Sequence, residues 1–137
     1  MNKFLLFVFF IFPFLSFSQE KKIISEQMVE KYLLNLQAID NLNNKIFIIE
    51  NRISSLNPND SLENITILSA KQRVLDLKGQ IVQKEKIVSS TSYFIFDDLN
   101  SSNRPIIELT KEEFELLPDS KKAIVRENPN KFLIKQI

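Results

Sequence analysis

Asp97 and Asp98 form the acidic pair of this sequence best placed to do chemistry. Two adjacent carboxylates can share a hard cation such as Ca²⁺ with backbone carbonyl oxygens, which would make a small metal binder or the acid pair of a small hydrolase. No third ligand pattern and no glycine turn accompanies them, so the pair reads as part of a solvated loop. The remaining reactive groups are few. The chain has no Cys and no His. That excludes thiolate or imidazole zinc sites, disulfides, a His general base and the usual Cys or Ser-His nucleophiles. Its single glycine, Gly79, excludes the phosphate-cradling loops, which need several. No Ser-x-x-Lys pattern occurs beyond the leader described next. The sequence therefore predicts no catalytic residue, no cofactor and no metal, and a protein that is not an enzyme.

The N-terminus indicates a compartment. Lys3 supplies a positive start, Phe4 to Phe17 is an apolar run containing Pro13, and Ser16 and Ser18 provide small residues at the −3 and −1 positions. This is the pattern of a secretory signal peptide over residues 1–18, and the run falls short of the roughly 20 apolar residues of a membrane span. The Phe17-Ser18-Gln19 ending resembles leaders of Bacteroidetes-type bacteria. No cysteine follows it to carry a lipid. The expected mature chain starts at Gln19, is periplasmic or secreted, and keeps no stable membrane anchor. Lys plus Arg is 18 and Asp plus Glu is 17; without Lys3 the balance is 17 against 17, so no net field draws the chain toward nucleic acid.

The elements that position everything else are helical. From Glu20 to Leu56 no Pro or Gly intervenes, and a 3-4 spacing runs through Met28, Tyr32, Asn35, Ile39, Leu42, Ile46, Ile49, Ile53 and Leu56. That predicts a helix of about 50 Å. Asn57-Pro58-Asn59 ends it, because Pro58 lacks a donor and restricts the residue before it. Asp60 is expected to cap a second helix over 61–89, with Glu63 reaching back in a variant of the capping box. Ile67, Ala70, Val74, Leu77, Ile81 and Val88 give that helix its seam, and Ile65, Leu68, Leu75 and Val82 widen its apolar face beyond a narrow two-stranded seam. Gly79 should weaken the helix by about 1 kcal/mol relative to Ala; close helix approach or a tolerated weak spot would each account for it. A short connection implies an antiparallel, coiled-coil-like hairpin spanning 19–91. At its tip, Asp60-Ser61-Leu62 also resembles the acceptor sequence of periplasmic O-glycosylation in Bacteroidetes, which implies Ser61 as an acceptor.

After the polar break Ser89-Ser90-Thr91-Ser92, residues 92–137 read as a small α+β unit. Tyr93-Phe94-Ile95-Phe96 suggests a buried strand or anchor, Ile106–Leu109 a strand, Thr110 and Glu113 a capping box, and Pro118 the end of that short helix. Asp119 or Ser120 is expected to cap the next helix, which Asn128-Pro129 stops, and Lys131–Lys135 forms a last strand pairing with 106–109. The result is a β-α-α-β unit, too small to be secure alone. Thr110, Phe114, Leu117, Pro118, Lys121, Val125, Arg126 and Phe132 are spaced as in the actin-binding headpiece of villin-like proteins. Ser120 stands where that family has its surface tryptophan, and a strand precedes where the family has a helix. The resemblance implies a shared helix-Pro-helix turn and no common function.

The fold class expected is thus mainly α (α+β), and the expected function is that of a non-enzymatic interaction protein, binding a protein partner or forming a homo-oligomer. A periplasmic holdase-type chaperone is the alternative. The partner surface is placed at Phe47 and Ile48. Within Ile46-Phe47-Ile48-Ile49, successive side chains point about 100° apart, so a neighbouring helix can cover Ile46 and Ile49 but leaves Phe47 and Ile48 over. Either residues 93–137 fold back over these two or another chain covers them.

Overall fold

The computed structural model describes residues 2–136, with side chains from Glu26 onward. The expected leader and its cleavage after Ser18 lie outside the residues described in full. Two long helices, α1 (Asn2–Ser54) and α2 (Ser61–Ser92), are followed by a π-helical turn (Tyr93–Asp97), strand β1 (Ile107–Thr110), helices α3 (Lys111–Leu116) and α4 (Asp119–Glu127), and strand β2 (Phe132–Lys135). Among the described residues, no helix is long and apolar enough to cross a membrane. The chain forms two compact units: Leu34–Ser90 is one, and the other joins residues up to Leu33 with those from Thr91 onward.

In the first unit, α1 and α2 share a core of Leu42, Ile46, Val74, Leu77 and Ile81, with Ile39 and Ile49 packed against it. These are residues of the two predicted seams. Each buried aliphatic side chain stabilises the pair by about 1.5–3 kcal/mol. The end of α1 is satisfied by hydroxyls: Ser54 and Ser55 Oγ donate to the carbonyls of Asn51 and Arg52, both at 2.7 Å, covering acceptors that a helix terminus leaves open. Asp60 caps α2 as expected, accepting from the N–H groups of Leu62 (2.9 Å) and Glu63 (3.2 Å). Glu63 does not close the box on Asp60; its carboxylate accepts from the Asn57 N–H at 2.8 Å. This ties the start of α2 to the residue before Pro58, because Asp60 N–H is already held by the Asn57 carbonyl (3.2 Å).

The structure refines one expectation about α2 and corrects another. The row Ile65, Leu68, Leu75 and Val82 widens the apolar face without being packed; all four side chains are exposed. One neighbouring helix covers only one stripe of another, and α2 has two. The run Ser89–Ser92 does not break the helix, since α2 continues to Ser92. Ser90 Oγ donates to the Ile87 carbonyl (3.0 Å) and Thr91 is buried, so local hydroxyl bonding and burial outweigh the modest helix propensity of Ser and Thr.

In the second unit, Tyr93–Phe96 is not a strand. The helix widens into a π-turn, closed by the Asp98 N–H on the Tyr93 carbonyl at 2.9 Å, and this directs Ile95 and Phe96 into the core. Phe96 meets Tyr32 edge to face (5.3 Å between centroids) and stacks on Phe132 (6.2 Å). Val29, beside the predicted Met28, is fully buried here. β1 and β2 pair as expected, and in parallel, with Ile107 opposite Phe132 and Leu109 opposite Ile134. The α3–α4 segment makes the crossover that a parallel pair requires. Thr110 and Glu113 form the complete capping box of α3. The N-cap of α4 is Pro118, not Asp119 or Ser120, and no side chain caps it.

Candidate partner surface

Phe47 and Ile48 lie on α1 within the Leu34–Ser90 unit, each 65% exposed, while Ile46 beside them is buried and Ile49 half-buried. The 100° step between helical residues produces this division: the core against α2 takes Ile46 and Ile49 and turns the two residues between them outward. Leaving both in water forgoes on the order of 1.5–3 kcal/mol apiece.

Two grooves border the α1–α2 seam. One, of about 450 Å³, has Ile53, Val74 and Leu75 along it, with Glu50, Lys71 and Lys78 at its edge. The other, of about 510 Å³, holds Ile49, Ile53, Leu56 and Ile65, with Arg52 and Arg73 beside them. Four cations and one carboxylate therefore surround apolar floors. Such an arrangement can seat apolar side chains and attract acidic neighbours. The exposed row on α2, missed as a surface because its spacing reads equally well as core, runs along the same unit.

Ser61, the glycosylation candidate, is the first residue of α2 and is exposed. Its neighbour Asp60 is engaged as the cap. Asp97 is exposed and Asp98 half-buried, and the Asp98 backbone serves the π-turn. There Arg104, to which the sequence assigned no role, is the central polar group. Its Nη1 donates to the carbonyls of Phe94 (2.8 Å) and Asp98 (3.0 Å), its Nη2 to that of Ile95, and its guanidinium lies 5.2 Å over the Phe132 ring. The π-turn ends with open acceptors, and a planar cation fits them. Desolvation lowers the Arg104 pKa, against the raising effect of Asp98. The one sequence signal for this role was an Arg shortly after an aromatic helix end. Lys135 bridges Glu108 (3.3 Å) and Glu26 (3.7 Å) in the same unit.

Comparison with protein-family models, with curated proteins and with solved structures finds no match to this chain.

Proposed function

We propose that this chain is a periplasmic or secreted interaction protein without enzymatic activity, whose α1 and α2 form an antiparallel helical hairpin that presents Phe47 and Ile48 to another polypeptide. The observation that carries the reading is the outward placement of two large apolar side chains on one helix turn, both 65% exposed. Two grooves on the same helix pair have basic edges, which favour a partner segment with apolar anchors and acidic flanks. A segment of this kind lays its anchors into the grooves as an amphipathic helix does. A holdase-type chaperone is the second reading, supported by the length of the exposed row on α2, which offers apolar surface without a single defined pocket. Ser61 remains a proposed glycosylation acceptor at the exposed start of α2.

The test is the double variant Phe47→Glu with Ile48→Lys. Both positions are solvent-facing, so helix content by circular dichroism should stay within about 10% of wild type, as expected for surface substitutions. Capture of the partner from the protein's own envelope fraction should be lost. Undiminished capture would refute the assignment of the surface. Protection of many unrelated unfolding proteins from aggregation, with no single captured partner, would favour the holdase reading.

A further inference from the structure

α2 carries two heptad stripes. With Ile65 taken as position a, the buried row Ile67, Val74 and Ile81 falls at c, with Leu77 at f. The exposed row forms a second seam, with Leu68, Leu75 and Val82 at d, and Ile65, Gln72 and Gly79 at a. Its apolar members are between 48% and 63% exposed. Two-stranded coiled coils are built from apolar a and d rows; here the d row is apolar from 68 to 82 and the a row only at Ile65.

We propose that this second seam binds a second copy of the chain, α2 against α2, parallel and in register. The inference rests on the reading of the helix pair's surface as a polypeptide-binding one, and names the occupant of its α2 face. Charge sets the direction. In a parallel pair each g residue faces the e residue five places on in the other helix, so Lys71 of each copy meets Asp76 of the other, twice by symmetry. Lys86 at a faces Lys86 of the second copy, with Glu85 at g of each chain beside it to offset the repulsion, so the seam ends there. An antiparallel pair centred on the same seam would set Lys78 against Lys78 and Asp76 against Asp76, which offsets the Lys71–Glu85 contacts it would gain. The layers agree with the parallel arrangement: Leu68, Leu75 and Val82 each meet their own counterpart. Gly79 agrees as well. A Cβ added there would meet nothing within 4 Å, so nothing in its own unit requires a glycine, whereas at position a it lets two backbones approach closely. Burying four apolar side chains at on the order of 100 Å² each from both copies gives roughly 800 Å², below the about 1,200 Å² of a stable specific interface. That corresponds to a reversible dimer.

The absence of native cysteine makes the geometry testable on protein expressed from the full-length sequence. Leu68→Cys and Val82→Cys, each alone, should form a disulfide-linked homodimer under mild oxidation. Positions 68 and 82 are about 21 Å apart along a helix, so a mixture of the two variants should give no 68-to-82 crosslink. In sedimentation equilibrium, Lys71→Glu should weaken the dimer roughly tenfold, and Lys71→Glu with Asp76→Lys should restore it. A wild-type chain that stays monomeric at hundreds of micromolar, a predominant 68-to-82 crosslink, or failure of the charge swap to restore what Lys71→Glu removes would each overturn the proposal. Phe47→Glu with Ile48→Lys should leave this dimer intact. A dimer without partner capture thus sinks only the assignment of Phe47 and Ile48, and capture without a dimer sinks only this seam.

Discussion

The Arg104 guanidinium is drawn out of water and held by the carbonyl oxygens of Phe94, Ile95 and Asp98. Removing it would strand those acceptors where little water reaches them. Arg104→Met should therefore destabilise the chain by about 2–4 kcal/mol in urea unfolding, with Arg104→Lys recovering less than half, because a point charge cannot serve three acceptors at once. Tyr32 provides a pH-dependent counterpart. Burial raises its pKa above the usual 10.0; the folded state resists ionisation that the unfolded chain undergoes freely. The contribution is fully present below the unfolded pKa and is lost as pH rises through the folded one. Tyr32→Phe should match wild type near neutrality and lose less stability between pH 9 and 11, as read from the difference between the two melting curves. An equal alkaline loss in both proteins would show that Tyr32 does not drive it. Neither role was visible in the sequence. Tyr32 was placed on a seam, but its contact with Phe96 depends on a π-turn that aromatic and β-branched composition disguised as a strand.

Among the elements, those governed by local chemistry were readable. Thr110 and Glu113 marked the start of α3, Asp60 the start of α2, and the Asn57-Pro58-Asn59 stop fell within three residues of the end of α1, since caps and prolines act through nearest neighbours. The elements governed by tertiary choice were not. Ile65, Leu68, Leu75 and Val82 have the same helical spacing as Ile67, Val74 and Ile81, and only the position of α1 decides which stripe is buried. Gly79 was open between close approach and a weak spot, and the structure leaves its site facing solvent. Gly79→Ala should stabilise α2 by about 1 kcal/mol, measured by urea unfolding at low protein concentration where association does not contribute. A destabilisation there would mean that a close neighbour occupies the site.

At the scale of the whole molecule, the proposed polypeptide binding rests on a mismatch between the apolar surface of the Leu34–Ser90 unit and what its own two helices cover. The Leu34–Ser90 unit has two helices, and two helices bury one stripe each, yet its sequence supplies further apolar residues on both. Length and composition made this legible in part: the four apolar residues 46–49 cannot all face one neighbour. What the sequence could not decide was whether residues 93–137 would supply the cover, because that depends on where the β-α-α-β segment finds its own core. Its Phe96 packs on Tyr32, and within the Leu34–Ser90 unit Phe47 and Ile48 are exposed. The most direct measurement places a photo-activated benzoylphenylalanine at position 47 of the full chain in its native envelope and identifies what it captures. The account predicts an adduct joining position 47 to a residue of another polypeptide chain, with mass well above the monomer. An adduct confined to residues 93–137 of the same chain would contradict it.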